Sequence, residues 1–264
     1  MKTQTKLRTL TIEDLSIGYA HRKQQKVIAE QLTFSCHQGE LIAIVGANGI
    51  GKSTLLRTLS GMQDALDGNI SILETPMKQL NALEIASHIS VVLTEPPASK
   101  NLYVSELITL GRQPYTNWMG RLSEKDHQAV ELAMTQTETI DLAQQKCYEL
   151  SDGQLQRVFL ARALAQDTPI IILDEPTTHL DIYHQAYVFK LLKRLASEMG
   201  KTIVFATHDI NLAIQLCDKM LVLTPETHHF DTPCRLIEQH CFDSLFPEDT
   251  IQFDTKTGRF NMKN

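Results

Sequence analysis

Three short runs of uninterrupted apolar residues punctuate the chain: Leu41-Ile42-Ala43-Ile44-Val45, Ile170-Ile171-Ile172-Leu173 and Ile203-Val204-Phe205-Ala206. A fourth strand candidate, the stretch 89–93, is apolar apart from Ser90. Runs of this length without alternation are what strands look like when both faces of a sheet are covered. Near the N-terminus, Leu10, Ile12, Leu15 and Ile17 instead show partial alternation and end at Gly18-Tyr19, the pattern of a half-buried strand. Helical periodicity falls between the runs. Leu55, Leu56, Leu59 and Met62 share one face of a helix that starts at Lys52. Leu155, Val158, Phe159 and Arg162 mark another, with Ser151 placed as its N-cap. Strands alternating with helices predict an α/β fold with a largely parallel sheet.

Two segments differ in texture. Residues 95–150 open with Pro96-Pro97, carry a loop-like stretch at 111–120 and are otherwise polar and helical. This predicts a helical subdomain inserted into the α/β core. Residues 225–264 mix short β-like and helical pieces and read as a C-terminal extension. With 264 residues and no repeats, the chain is expected to form one domain over 1–264 with that insertion.

The net charge of −6 gives no electrostatic reason to expect nucleic acid as a partner. Arg22, Lys23 and Lys26 form a small basic group best read as a solvated turn, and His228, His229 and His240 as exposed side chains. The five cysteines (Cys36, Cys147, Cys217, Cys234 and Cys241) contain no C-x-x-C pair, the usage of reduced thiols in a reducing compartment. The first residues lack the apolar core of a signal peptide, and no apolar run approaches the ~20 residues that span a bilayer. The expectation is a cytoplasmic protein with no direct membrane insertion, so any role at a membrane must pass through a partner.

The chemistry begins at Gly46-Ala47-Asn48-Gly49-Ile50-Gly51-Lys52-Ser53, a full match to the phosphate-loop pattern G-x-x-x-x-G-K-[ST]. It lies between a buried-type strand and an amphipathic helix, the context the motif requires. Glycines let backbone N–H groups reach phosphate oxygens, and the following helix directs its positive end to the same place. Lys52 can reach the terminal phosphates and the Ser53 hydroxyl can ligate Mg²⁺. Asp174 and Glu175 end an apolar run, so they should emerge at the carboxyl edge of the sheet. There Asp174 would hold Mg²⁺ and Glu175 would orient and polarise water. His208 follows the run 203–206 and is placed for a γ-phosphate contact.

Between the phosphate loop and Asp174-Glu175 sits Leu150-Ser151-Asp152-Gly153-Gln154, opening a helix. That order resembles the nucleotide-binding subunit of an ATP-binding cassette (ABC) transporter over nearly the whole chain. The resemblance implies a P-loop NTPase core with an N-terminal antiparallel β portion, and ATP and Mg²⁺ as cofactors. It implies that Tyr19 stacks on adenine and that Gly46, Asn48, Gly49, Gly51, Lys52, Ser53 and Thr54 cradle the phosphates. Ser151, Gly153 and Gln154 then contact the γ-phosphate held by a second copy of the chain, and Leu180-Asp181 links the two sites. Glu175 and His208 carry catalysis, with Ser53 and Asp174 on the metal.

Two positions depart from the family pattern. Asp152 stands where the family usually has glycine. A glutamine is expected after the strand 89–93, where this chain has Thr94 and Glu95; Glu95 is assigned the metal- or water-directed role.

The implied assembly is a homodimer on two permease subunits and, through them, a substrate-binding protein, peripheral on the inner face of the membrane. The insertion 95–150 would be the docking surface. Leu110-Gly111-Arg112-Gln113-Pro114-Tyr115 and Thr177-Thr178-His179-Leu180-Asp181-Ile182-Tyr183-His184-Gln185 resemble importers of iron–siderophore complexes, haem and vitamin B12. The competing assignment is a cassette ATPase of translation or DNA maintenance. Those carry two cassettes or a long coiled coil, whereas this chain has one phosphate loop and no sustained heptads. A small-molecule kinase leaves residues 150–154 unexplained.

Overall fold

A computed structural model describes residues 6–21, 24–93, 101–245, 251–255 and 257–262. The central sheet has six strands: β3 (Leu41–Gly46), β6 (Ile89–Val92), β7 (Ile170–Asp174), β8 (Thr202–Ala206), β9 (Lys219–Leu223) and β10 (His228–Asp231). Their order is β10-β9-β3-β8-β7-β6. All neighbours are parallel except β10, which pairs antiparallel with β9. A second, antiparallel sheet joins β1 (Arg8–His21), β2 (Gln24–His37), β4 (Asp67–Ile72) and β5 (Thr75–Pro76) in the order β2-β1-β4-β5. A hairpin of β11 (Ile251–Asp254) and β12 (Arg259–Met262) closes the described chain.

The continuous apolar runs follow from two cores. Successive strand side chains point to opposite faces. Leu41, Ala43, Val45, Ile171, Leu173, Ile203 and Phe205 enter one core. Ile42, Ile44, Ile170, Ile172, Val204 and Ala206 enter the other, with Leu10, Ile12, Leu15 and Ile17 of β1. The second core also takes Leu55, Leu56 and Leu59 from helix α1 (Lys52–Leu59), which lies between the sheets. The first is covered by α3 (Val104–Thr109), α5 (Asp152–Ala165), α6 (Ile182–Met199) and α7 (Ile210–Leu216), after α2 (Ala82–His88) in the chain. α4 (Glu124–Gln136) packs mainly on α5, and α8 (Pro233–Glu238) follows β10.

Two local expectations change. α1 ends at Leu59 because Gly61 turns left-handed (φ 73°), so Met62 lies beyond the helix and is exposed rather than on its apolar face. The stretch 111–120 is not all loop, since Leu110–Tyr115 forms a 3-10 turn. Its Gly111 lies so close to the Arg162 carbonyl that a Cβ would collide with it. His240 is exposed as expected, whereas His228 and His229 are half-buried on β10. No helix among the described residues is long and apolar enough to cross a membrane.

Candidate nucleotide site

β3 is buried throughout and delivers Gly46 to the carboxyl edge of the sheet. The loop then turns on Gly49 (φ 77°) and Gly51 (φ 111°), a region of backbone space that side chains rarely tolerate. At Gly46 the demand is close approach, because a Cβ there would lie 2.7 Å from the Leu223 carbonyl oxygen. Gly51 precedes α1 with no side-chain cap, so the first N–H groups of the helix are left for an acceptor outside the chain.

The side chains of this loop converge. Lys52 Nζ is buried and donates to the carbonyls of Gly46 (3.0 Å) and Ala47 (3.2 Å). Burial pushes its ammonium below the usual lysine value, while Glu175 and Asp174 pull it back up. Ser53 Oγ donates to Asp174 Oδ1 at 3.0 Å. Thr54 Oγ1 lies 3.0 Å from the hydroxyl of Tyr19, whose side chain is half exposed beside the loop. Asn48 and Gly49 sit exposed at its tip.

Asp174 terminates β7, two strands from β3, and Glu175 follows it with φ 50°. Burial raises the Asp174 carboxyl above the ordinary aspartate value; the Ser53 hydrogen bond opposes this and Glu175 adds to it. Glu175 Oε1 lies 2.6 Å from His208 Nε2, and its other oxygen accepts from Thr178 Oγ1 at 3.0 Å. The backbone N–H of Glu175 donates to Ala206 O at 3.1 Å, which ties this turn to the end of β8 just before His208. Thr177 Oγ1 donates to Asp209 Oδ2 at 2.7 Å, a second strut between the same two turns.

Sequence reasoning singled out Glu175 and His208 separately but did not pair them. It gave Thr177, Thr178 and Asp209 no role here. Thr177 and Thr178 entered only through the 177–185 resemblance, and the one sequence signal of Asp209 was its place directly after His208.

Ser151 caps α5: its Oγ accepts from Gln154 N (3.3 Å), and Gln154 Oε1 accepts from Ser151 N (3.0 Å). This reciprocal pair is a capping box. Asp152 is exposed on the first turn and lines a cleft of about 300 Å³ with Asp174, Glu175, Thr178, His179 and Leu180. Among the described residues, no hydrogen bond or ion pair joins 151–154 to the phosphate loop. Lys52, Ser53, Thr54, Tyr19, Asp174, Glu175 and His208 are therefore interlinked, while Ser151 and Gln154, with the buried Gly153 between them, form a separate end. Thr94 and Glu95 lie outside the described residues.

The sequence model of the ABC transporter family matches residues 29–178. The iron(3+)-hydroxamate import ATP-binding protein FhuC of Bacillus subtilis is 36% identical over 221 residues, covering 84% of this chain and 81% of that protein. A metal-chelate type ABC transporter solved in an inward-facing conformation superposes with a TM-score of 0.78 at 28% identity, covering 90% of this chain and 89% of that one. A dimeric ATP-binding cassette in a post-hydrolysis state with ADP and Pi gives 0.71 at 27% identity, over 83% of this chain and 97% of that chain. With one interlinked cluster around a phosphate loop and these relatives at near-full coverage, the chain belongs to the ABC transporter family as an ATP-binding subunit that hydrolyses ATP.

Proposed function

We propose that this chain is the ATPase of an importer that takes up an iron complex, acting as a homodimer beneath a membrane permease. The Glu175–His208 pair, 2.6 Å apart beside Lys52 and Asp174, supports the catalytic half of this reading. The cargo class rests on the printed function of the Bacillus subtilis relative, together with residues 110–115 and 177–185. Vitamin B12 and haem are the other cargoes that this sequence pattern suits.

In this reading Tyr19 stacks on adenine, its hydroxyl anchored by Thr54. Gly46, Asn48, Gly49 and Gly51 shape the loop whose N–H groups take the phosphate oxygens. Lys52 exchanges the carbonyls of Gly46 and Ala47 for β- and γ-phosphate oxygens. That exchange offsets the cost of burying its charge.

The donor set at the sheet edge fits Mg²⁺: a hydroxyl and a carboxylate oxygen 3.0 Å apart, both hard oxygen ligands. Ser53 and Asp174 would hold the ion, which neutralises phosphate charge, with Glu95 as a further candidate. Glu175 takes a proton from the water whose oxygen attacks the γ-phosphorus, as the bond to the ADP oxygen breaks. His208, held by Glu175 here, turns to the γ-phosphate when ATP is bound and frees that carboxylate.

Ser151, Gly153 and Gln154 of one subunit complete the site of the other, giving a two-fold pair of shared sites. The insertion 95–150 docks on two permease subunits, which carry the substrate-binding protein on their far side. The chain then sits peripherally at the inner face of the membrane.

The test is Glu175→Gln. Hydrolysis should fall by ~10²–10⁴-fold while ATP binding persists, and an ATP-bound dimer should accumulate in light scattering. Hydrolysis at the parent rate would remove Glu175 from catalysis. For the cargo, the subunit reconstituted with its permease and binding protein should show ATPase stimulated by ferric hydroxamate. Stimulation by haem or cobalamin alone would reassign the cargo, and tight ribosome or DNA association without a permease would overturn import.

A further inference from the structure

We propose that His184 is a positioning residue that ties the loop at Leu180-Asp181 to the Ser151–Gln154 end of α5 within each subunit. The inference rests on the shared-site homodimer above, because both segments face the partner only in that assembly.

Three observations converge on this side chain. First, Asp181 caps α6: its Oδ1 accepts from the backbone N–H of His184 at 2.8 Å and lies 2.9 Å from His184 Nδ1. One carboxylate oxygen therefore fixes both the start of the helix and the direction of the imidazole. These two bonds, the backbone one first, hold the exposed Asp181 carboxyl below the ordinary aspartate value. Second, the ring abuts Gly153. A Cβ built on Gly153 would stand 2.6 Å from His184 Cδ2 and 3.1 Å from Cγ, so the ring occupies the space a side chain would need. Third, the ring stands perpendicular to that of Tyr183, at a centroid distance of 5.4 Å and an interplanar angle of 89°.

The consequence is a continuous mechanical path. Thr178 bonds Glu175 at 3.0 Å, and the chain runs from there through His179 (φ 67°) to Asp181. His184 passes any displacement of Asp181 to Gly153, and so to the capping box of Ser151 and Gln154. A shift at the attacking-water side of one site would thereby move the γ-phosphate-binding end offered to the other site. The pairing needs both properties of an imidazole: a donor at Nδ1 and a ring that fills the space beside Gly153. Asn keeps a donor close to the Nδ1 position and loses the ring, whereas Phe keeps the ring and loses the donor.

The experiment places His184→Asn and His184→Phe in the Glu175→Gln background and, separately, in the catalytically active chain. His184 is half exposed at the surface, so both variants should keep the parent Tm and the parent affinity of the isolated subunit for a fluorescent ATP analogue. Both should weaken ATP-dependent dimerisation at least tenfold. In the active chain they should lower kcat and reduce the Hill coefficient for ATP toward one. The inference is overturned if either variant dimerises and hydrolyses ATP within twofold of its parent. It is equally overturned if Tm or nucleotide affinity falls in step with dimerisation, because His184 is then part of the fold rather than a link. If Glu175→Gln itself forms no dimer with ATP, the shared-site reading fails first and the link falls with it.

Discussion

Asp174 holds a charge that its surroundings penalise. Burial raises its carboxyl pKa, and the Ser53 hydrogen bond recovers only part of the cost. A folded-state pKa above the unfolded value means that unfolding releases a proton. Stability is then lost as pH rises from the unfolded value (~3.9) through the folded one. At neutral pH the ionised group is thus a standing cost, retained for what it binds. Asp174→Asn keeps an oxygen to accept from Ser53 and removes the charge. Its Tm at pH 7 should exceed that of the parent, the gap should narrow below pH ~4, and ATPase should collapse. A lower Tm at pH 7 would contradict this account. Lys52 is the complementary case, an ammonium lowered by burial that waits for phosphate oxygens.

At the scale of elements, Arg112 does more than its place in a presumed loop suggested. Its Nε donates to Asp126 Oδ1 at 2.8 Å and its Nη1 to Ala165 O at 2.8 Å. The guanidinium also lies 4.1 Å from the Tyr115 ring centroid. Ala165 is the last residue of α5, where a cation satisfies an orphan carbonyl and complements the helix dipole. Asp126 also accepts from Ser123 N (2.8 Å) and Oγ (2.6 Å) at the start of α4. One buried pair therefore clamps the 110–115 turn to α4 and to the end of α5.

Burial alone would raise the Asp126 carboxyl, but the bonds from Ser123 and Arg112 outweigh it and hold it at about 2. With the folded pKa depressed, this stabilisation is present above ~4 and disappears as pH falls toward about 2. Arg112→Met leaves a buried carboxylate without its cation and should cost about 3–5 kcal/mol. That corresponds to roughly 10 °C in Tm. The loss should be largest at neutral pH and shrink between pH 4 and 2; an unchanged Tm at neutral pH would refute the clamp. Residues 111–120 read as loop because Gly111 and Pro114 break helical periodicity. What orders 110–115 is contact with α4 and α5, invisible to local pattern.

Across the whole molecule, two cores share one sheet, and this is why β3, β7 and β8 were visible as plain apolar runs and β6 as one broken only by Ser90. β9 and β10 were not predicted, although β9 is as long as β7 and β8 and carries an apolar run at 220–223; β10 is a half-buried edge strand with two histidines. The segment between the 110–115 turn and α4 exposes Trp118 at 93% of its surface beside the half-exposed Met119. If this segment meets the permease, Trp118→Asp should abolish co-purification with that permease and leave Tm and ATP affinity at parent values. Retained co-purification would move the docking surface elsewhere. Because Trp118 buries almost nothing within the subunit, the variant separates assembly from folding.

The phosphate loop, the Ser151 cap and the buried strands were legible because each depends on neighbours within a few residues. Glycine conformation, helix capping and period-two burial are local physics. The pairings that make a site are not local. Tyr19 meets Thr54 across 35 residues, Glu175 meets His208 across 33, and Ser53 meets Asp174 across 121. Nothing in the spacing says that β3 lies between β8 and β9, or that β7 lies beyond β8. Side-by-side parallel strands bring their carboxyl ends to one edge whatever their order in the chain. That shared edge is what turned separate motifs into a cluster, and only the tertiary approach of the first turn of α6 to the first turn of α5 set His184 on Gly153.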